Sequence, residues 1–497
     1  MMNDRGKSDG PVVPAKPPNN AGGPAAEGVE GRGPAKENMD QQNASRTQGR
    51  TSAPSALDRV REAAVRDRKA RFTALFHHVT IDRLRGAFSS LKKNAAAGID
   101  GVTWVQYHAE LEENLRDLHE RLHRGAYRAK PSRRVFIPKP DGRQRPLGIA
   151  SLEDKIVQRA VVEVMNAVYE VDFLGFSYGF RPRRSPHTAL DALAVGLLQR
   201  KVNWVLDADL RDFFGTIDHG WLVKFVEHRI GDRKILRLIR KWLSAGILQD
   251  GIWTASEQGT PQGATASPLL ANIYLHYVFD LWVQQWRRRH AQGDVILVRY
   301  ADDFLVGFQL ESDARRFLDE LRERLARFAL ELHPEKTRLL RFGRFAAKDR
   351  AACGEGKPKT FDFLGFTHIC GKSRAGRFLL VRRTMAKRMR AKLHEVRLAL
   401  RRRQHLPIPI QGAWLGNVLR GYYAYYAVPT NALRLQAFRT QVVSAWHRSL
   451  RRRSQHDRTN WARMSILRKR WIPPAHVLHP WPDERFNVRT RGKSPVR

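Results

Sequence analysis

The spacing of apolar residues changes along the chain, and each change marks an element. From Leu57 the positions Leu57, Val60 and Ala64, then Phe72, Leu75, Phe76 and Val79, recur at helical spacing among many arginines. They predict two basic helices within residues 56–93. Further on, Arg133-Arg-Val-Phe-Ile-Pro-Lys and Arg145-Pro-Leu-Gly-Ile flank the turn Pro140-Asp-Gly-Arg, which predicts a β-hairpin. A helix follows at once: Ser151 with Asp154 three residues on forms a capping box, and Ile156, Val157, Ala160, Val161, Val164, Met165 and Val168 supply its apolar stripe. Trp204 to Leu210 alternates with period two, placing Val205, Asp207 and Asp209 on one strand face and Trp204, Leu206, Ala208 and Leu210 on the other. Val295-Ile-Leu-Val-Arg-Tyr and Phe304-Leu-Val-Gly-Phe are two apolar strands joined across Ala301-Asp302-Asp303, so a tight hairpin carries adjacent carboxylates at its tip. After about residue 380 the period becomes helical and the helices densely basic.

Outside these runs, residues 1–55 are rich in Gly, Pro, Ala, Asn and Gln and have almost no aromatic or β-branched side chains, so they cannot bury enough surface to offset the entropy of ordering. They are predicted to form a disordered tail. The remainder can support sizeable cores, because the 497-residue chain is 42% hydrophobic. Charge narrows the partners. Lys and Arg number 89 against 49 Asp and Glu, a formal net charge of +40, and ten Lys/Arg face one Glu between Arg382 and Arg403. Self-repulsion on this scale points to a polyanion, and nucleic acid fits better than an anionic membrane surface. No apolar stretch is long enough to span a bilayer, and Met1 to Gly10 is too polar for a signal-peptide core, so a soluble intracellular protein is expected. Cys353 and Cys370 form no Cys-x-x-Cys pair; two reduced thiols and no structural zinc are expected.

The acids carry the chemistry. Nucleotidyl transfer uses two divalent cations, one lowering the pKa of the attacking 3′-hydroxyl and one steadying the triphosphate and departing pyrophosphate. Mg²⁺ keeps several waters and takes one or two carboxylates per ion, so a few Asp residues from neighbouring strands suffice. Asp209 on one strand with Asp302 and Asp303 on a hairpin suits that task. An Asp pair between strands is by itself most often a polar turn. Its company changes the balance: Tyr300-Ala-Asp-Asp, Phe213-Phe214 after Asp209, and Gln258-Gly-Thr-Pro-Gln-Gly before a helix capped at Ser267-Pro268.

Taken in order, these segments resemble the successive motifs of reverse transcriptases, specifically those encoded by bacterial group II introns. Ala95-Ala-Ala-Gly-Ile-Asp-Gly resembles the segment ahead of the fingers, Arg134-Val-Phe-Ile-Pro-Lys and Arg145-Pro-Leu-Gly-Ile the fingers hairpin, Ser177-Tyr-Gly-Phe-Arg-Pro the next stretch, and Phe361-Asp-Phe-Leu-Gly-Phe the hairpin that grips the primer. The resemblance implies an α+β right-hand polymerase with fingers, an antiparallel-sheet palm and a helical thumb/maturase region. Fingers and palm would occupy residues 94–365 and the RNA-binding thumb/maturase 366–497. It also assigns roles. Asp209, Asp302 and Asp303 would be the catalytic ligands of two Mg²⁺ ions. Lys139 and Arg145 would contact the triphosphate, as a point charge and a planar fork of donors. Phe214, five residues beyond Asp209, would lie under the sugar and exclude a 2′-hydroxyl. Gln262 would sit beside the nascent base pair, and Lys336, in Leu332-His-Pro-Glu-Lys-Thr, would act as a general acid toward pyrophosphate. For each of these polar residues, a solvated turn or an exposed charge is the plain alternative.

Two departures stand out. Ala264-Thr-Ala replaces the commoner Gly-Gly-aliphatic sequence after Gly263, and Gly215 replaces an Asp often found after the paired aromatics. In the C-terminal region, Trp414-Leu-Gly-Asn-Val-Leu-Arg-Gly-Tyr-Tyr-Ala-Tyr-Tyr combines rings with cations suited to structured RNA, though such rings can equally fill a helical core. The resemblance nominates Trp446, Arg448, Arg451, Arg452 and Arg453 as intron RNA contacts. The expected function is therefore cDNA synthesis from intron RNA, using an RNA template, a DNA primer and deoxynucleoside triphosphates. Maturase binding of a group II intron would accompany it, in the bacterial cytoplasm and at the nucleoid when target DNA is engaged. No Cys cluster or His-Asn-His pattern of the family's zinc-bearing endonuclease follows, so second-strand cleavage is expected to be absent and a primer to come from elsewhere, such as a replication fork. The rivals are a reverse transcriptase of retron or defence type, an RNA-binding splicing cofactor without polymerase activity, and an RNA-dependent RNA polymerase, which Phe214 disfavours.

Overall fold

The computed structural model describes residues 56–138, 144–249, 252–255, 258–261, 263–453 and 459–490. The predicted tail 1–55 and the predicted contacts Lys139 and Gln262 lie outside them. Eleven strands among the described residues form three sheets, and helices cover them in an α+β arrangement.

The predicted hairpin forms as β1 (Ser132–Pro138) and β2 (Gln144–Ile149), antiparallel with Ile137 opposite Arg145. β4 (Ile247–Gln249) joins β1 in parallel, and β5 (Ile252–Thr254) completes the order β2-β1-β4-β5. Helix Leu152–Asp172 starts where Ser151 Oγ accepts from the Asp154 amide. The carboxylate of Asp154 does not turn back to the Ser151 amide to finish the box; it accepts from the Tyr127 hydroxyl, from Lys130 N at 3.1 Å and from Ser151 Oγ at 2.7 Å.

The central sheet runs β6-β7-β3-β8, all antiparallel: β3 (Trp204–Asp209), β6 (Val295–Tyr300), β7 (Asp303–Phe308) and β8 (Arg338–Arg341). Its two faces do different work. Leu206, Ala208, Leu297, Phe304, Val306 and Phe308 enter the largest core, shared with helices Leu152–Asp172 and Ser267–Leu275. On the opposite face Val205, Ile296, Val298 and Leu305 pack with helix Pro186–Gln199. Along that second face the residues of β3 pass from apolar Val205 to Asp207 and Asp209, so the strand ends emerge from the core as acids.

A third sheet, β9 (Phe361–Phe363), β10 (Phe366–Lys372) and β11 (Phe378–Thr384), leads into helices Ala386–Arg402, Ile408–Tyr426, Ala432–Arg451 and Trp461–Trp471, which have their own core. Tyr422 stacks on Phe438 at 3.7 Å within it, and the Tyr425 hydroxyl donates to Leu364 O at 2.8 Å between β9 and β10. The aromatic cluster thus fills a core and ties these helices to the third sheet.

Two sequence expectations shift. The first basic helix, Ala56–Arg66, is present, but the second begins only at Ile81 and runs to Ser89. Phe72 instead bridges to Ile230, and Phe76–His78 makes a single 3-10 turn whose approach is held by the buried carboxylate of Asp232, which accepts from Leu75 N and Phe76 N at 2.7 and 2.8 Å. A distant carboxylate therefore outcompetes helical spacing. Ser267 does not cap its helix either; Ala266 is the N-cap, and the Ser267 hydroxyl donates to Pro261 O at 3.0 Å.

Candidate active site

Asp209 closes β3 directly opposite Asp303, the first residue of β7. Tyr300 also pairs with Asp303, which leaves Ala301 and Asp302 as the tight turn. The outcome is a half-buried cluster in which one carboxylate oxygen each from Asp209, Asp302 and Asp303 lies within 4.8 Å of the others. Three converging anions repel one another unless a cation joins them, and hard oxygen donors so placed suit hard divalent cations. The donor set fits the implied metal.

Ala301 holds a left-handed conformation, φ 58°, which is strained for a residue with a Cβ. Arg299 accounts for its persistence. This arginine is wholly buried in an otherwise apolar strand, and so is its partner Asp280, which accepts from Nε and Nη2 at 2.7 and 2.6 Å. The remaining guanidinium donors reach Asn272 Oδ1 at 3.1 Å, Ala301 O at 3.0 Å and Ser177 Oγ at 2.7 Å. All five N–H groups are used, and one of them grips the strained turn. From the other side Gly179 presses so close to Ala301 N that no Cβ could be accommodated there, and its carbonyl accepts from Asn272 Nδ2 at 2.7 Å. Asp280 ends a single π turn, His276–Asp280, between helices Ser267–Leu275 and Leu281–Arg289; such bulges re-aim a side chain. Sequence reasoning missed this network, although an arginine inside Val-Ile-Leu-Val-Arg-Tyr was its signal.

Two cations flank the acids. Lys336 Nζ pairs with Asp209, whose carbonyl also accepts from His333 N at 2.8 Å. Arg338 on β8 pairs with Asp207 at 2.7 Å. Burial pushes the Asp207 carboxyl upward, the hydrogen bond from Arg338 opposes that, and nearby Asp303 and Asp362 add to the upward push. Asp207 shares the strand face of Asp209 but stays with Arg338 and is not part of the three-acid cluster.

Phe214, five residues beyond Asp209, is buried in the short helix Phe213–Thr216, edge-on to Phe213. Its carbonyl accepts from Thr260 N at 2.8 Å. Gly259, with φ 80°, passes so near that an added Cβ would stand 2.7 Å from Phe214 O, which is why glycine precedes Thr260. At Gly215 the space for a side chain is taken by the carboxylate of Asp212. Arg145 is half-buried on β2.

Of the nominated RNA contacts, Arg448, Arg451 and Arg452 are exposed. Trp446 is a correction: it is fully buried, and its indole donates to Gln411 Oε1 at 3.0 Å, so it is a core residue of the helical region and cannot meet RNA. Arg453 is half-buried and donates to the carbonyls of Gln404, at 2.7 Å, and Leu406. The exposed ring nearby is Trp461, 58% accessible and tilted against His447 at 4.5 Å, which sequence reasoning did not single out.

An antiparallel sheet presenting three acids at a strand end and a hairpin tip, flanked by a fingers hairpin and a basic helical region, defines a polymerase-like architecture. Residues 137–368 match the family described as reverse transcriptase (RNA-dependent DNA polymerase), and the chain carries a reverse transcriptase domain there. It is 38% identical over 237 residues to protein YkfC of Escherichia coli K12, an alignment covering 42% of this chain and 62% of that protein. It is 35% identical over 235 residues to the group II intron-encoded protein LtrA of Lactococcus lactis subsp. cremoris, covering 47% and 39%. A shorter match, 27% over 94 residues, is to nuclear intron maturase 1, mitochondrial, of Arabidopsis thaliana, covering 18% and 12%. The chain thus spans less than two thirds of the length of each of these relatives. No helix among the described residues is long and apolar enough to cross a membrane.

Replacing Asp280 with Ala strands a buried guanidinium, and is expected to lower the unfolding free energy by about 3–5 kcal/mol. Urea denaturation of the variant checks this; a loss below about 1 kcal/mol, the scale of an exposed pair, would contradict the role given to Arg299.

Proposed function

We propose that the protein is an RNA-directed DNA polymerase that copies intron RNA into cDNA and, as a maturase, binds a group II intron to assist its splicing. The observation that carries the reading is the convergence of Asp209, Asp302 and Asp303 on one point within a reverse transcriptase domain. Two Mg²⁺ ions bound there would activate the primer 3′-hydroxyl and steady the triphosphate. The protein's own residues do the rest. Arg145, with Lys139, holds the deoxynucleoside triphosphate; Phe214 blocks the space of a 2′-hydroxyl; Gln262 supports the new base pair. Lys336, paired with Asp209, is placed to pass a proton to departing pyrophosphate once that pairing is released. The names of LtrA and of the Arabidopsis maturase support an intron partner, and the net charge of +40 supports binding of RNA template, DNA primer and target DNA. In a bacterium this work belongs to the cytoplasm and, during DNA engagement, the nucleoid.

Extension of oligo(dT) on poly(rA) with Mg²⁺ is expected for the wild type and lost in Asp302→Ala with Asp303→Ala at matched RNA affinity. A wild type that binds intron tightly yet never extends would instead identify a splicing cofactor. Phe214→Ala is expected to incorporate ribonucleotides at least about tenfold more readily relative to deoxynucleotides, the scale of about 1.4 kcal/mol of lost steric discrimination; unchanged sugar preference removes its role. Arg451→Ala with Arg452→Ala should weaken intron binding and flatten its salt dependence while sparing extension on the simple template, with up to about 0.9 units of slope lost per phosphate contact. Equal loss in both assays would refute a division of labour between the helical region and the acids.

A further inference from the structure

Helix Pro186–Gln199 is largely apolar and carries one deeply buried carboxylate, Asp191, which has no part in the proposed chemistry. Two arginines meet it. Arg382, buried on β11, approaches only to 3.6 Å, whereas Arg485, from helix Pro482–Thr490, donates from both Nε and Nη2, the latter at 3.0 Å. The segment leading to Arg485 is fastened at several more points. Leu478 N and His479 N both donate to Ala427 O, at 2.9 and 3.1 Å, just beyond helix Ile408–Tyr426. His479 Nε2 lies 2.9 Å from Ala424 O, its ring stacks on His187 at 4.1 Å, and its Nδ1 is 3.0 Å from Arg485 Nη1. Phe486 then inserts into the core containing Val298 and Leu305, the residues that back β6 and β7 behind the Asp302–Asp303 turn.

Residues 478–486 therefore touch the helical region, β11 through the shared Asp191, and the helix covering the central sheet. We propose that this segment is a clasp that sets the helical thumb over the palm, with Asp191, His479 and Arg485 as positioning residues, so that it governs how long a primer–template duplex is held between successive additions. The proposal rests on the polymerase reading above. Its physical basis is that each buried point joining thumb to palm removes orientations: Tyr425 against His187 at 5.0 Å and Val428 in the shared core join them without this segment, and the Asp191–Arg485 pair, His479 and Phe486 add further points. Duplex grip needs that orientation, but the chemistry at Asp209, Asp302 and Asp303 does not. A purely stabilising segment would lower the melting temperature and leave grip unchanged.

The test uses the full chain with Arg485→Ala, Arg485→Lys and His479→Ala. Dissociation of fluorescent poly(rA)/oligo(dT) into a heparin trap is followed by anisotropy, together with product length in a single encounter and the rate of one nucleotide addition at saturating enzyme. Arg485→Ala is expected to dissociate about tenfold faster, the scale set by losing hydrogen bonds to a charged group, and to shorten products in proportion while leaving single addition unchanged. Arg485→Lys, which keeps the charge without the two-pronged geometry, should fall between it and wild type. Unchanged dissociation, or single addition falling in step with product length, overturns the clasp. His479→Ala, which leaves the Asp191–Arg485 pair intact, decides the matter if Arg485→Ala melts below the assay temperature. Should the wild type never extend a primer, the polymerase reading fails by itself, and the dissociation rates still decide the clasp.

Discussion

Arg299 is the interaction on which the site depends. Three carboxylates brought to one point repel each other, and the turn that carries two of them bends through a left-handed alanine. Neither would persist on a hairpin free to relax. A guanidinium with all five donors engaged, inside a core where an unpaired charge is prohibitive, converts the turn into a rigid mount. The same side chain links the π turn at Asp280, the segment at Ser177 and, through Asn272, the close approach of Gly179. The buried pair is more than a source of stability, because geometry elsewhere in the palm converges on it.

Around that mount, charge is arranged in layers. The acids sit at the boundary between core and solvent, half-buried. Lys336 and Arg338, two residues apart at the start of β8, balance Asp209 and Asp207 separately. Asp207 is thereby committed to structure, and Asp209 is left with a partner that is itself half-exposed and can move aside. Alternation along one strand thus provides two acids with different duties, decided by the neighbouring strand.

Glycine enters where backbone must approach backbone. Gly179 against Ala301 and Gly259 against Phe214 bring two segments against the hairpin and the helix Phe213–Thr216, and a methyl group at either would separate layers that have to touch. The large net charge, by contrast, is spread over helices that form conventional apolar cores on their inner sides, so the same helix serves packing and polyanion attraction without conflict.

Much of this was legible in the chain because it is local. Period-two alternation marked β3 and apolar runs marked β6 and β7, the tight hairpin placed Asp302 and Asp303 at a tip, and the strand parity of Asp209 followed from Val205. The pairing of Asp209 with Asp303 across a long intervening stretch, and of Arg299 with Asp280 through a π turn, was not legible, because such contacts are chosen by packing of whole elements. Trp446 shows the same limit in a helix: in a segment rich in both rings and arginines, spacing does not say which arc faces inward, and Gln411 on a neighbouring helix settles it. The sequence by itself determined which residues could act and on which element each sits. The tertiary structure alone decided which of them meet, since convergence depends on strand register and helix packing that no local pattern encodes.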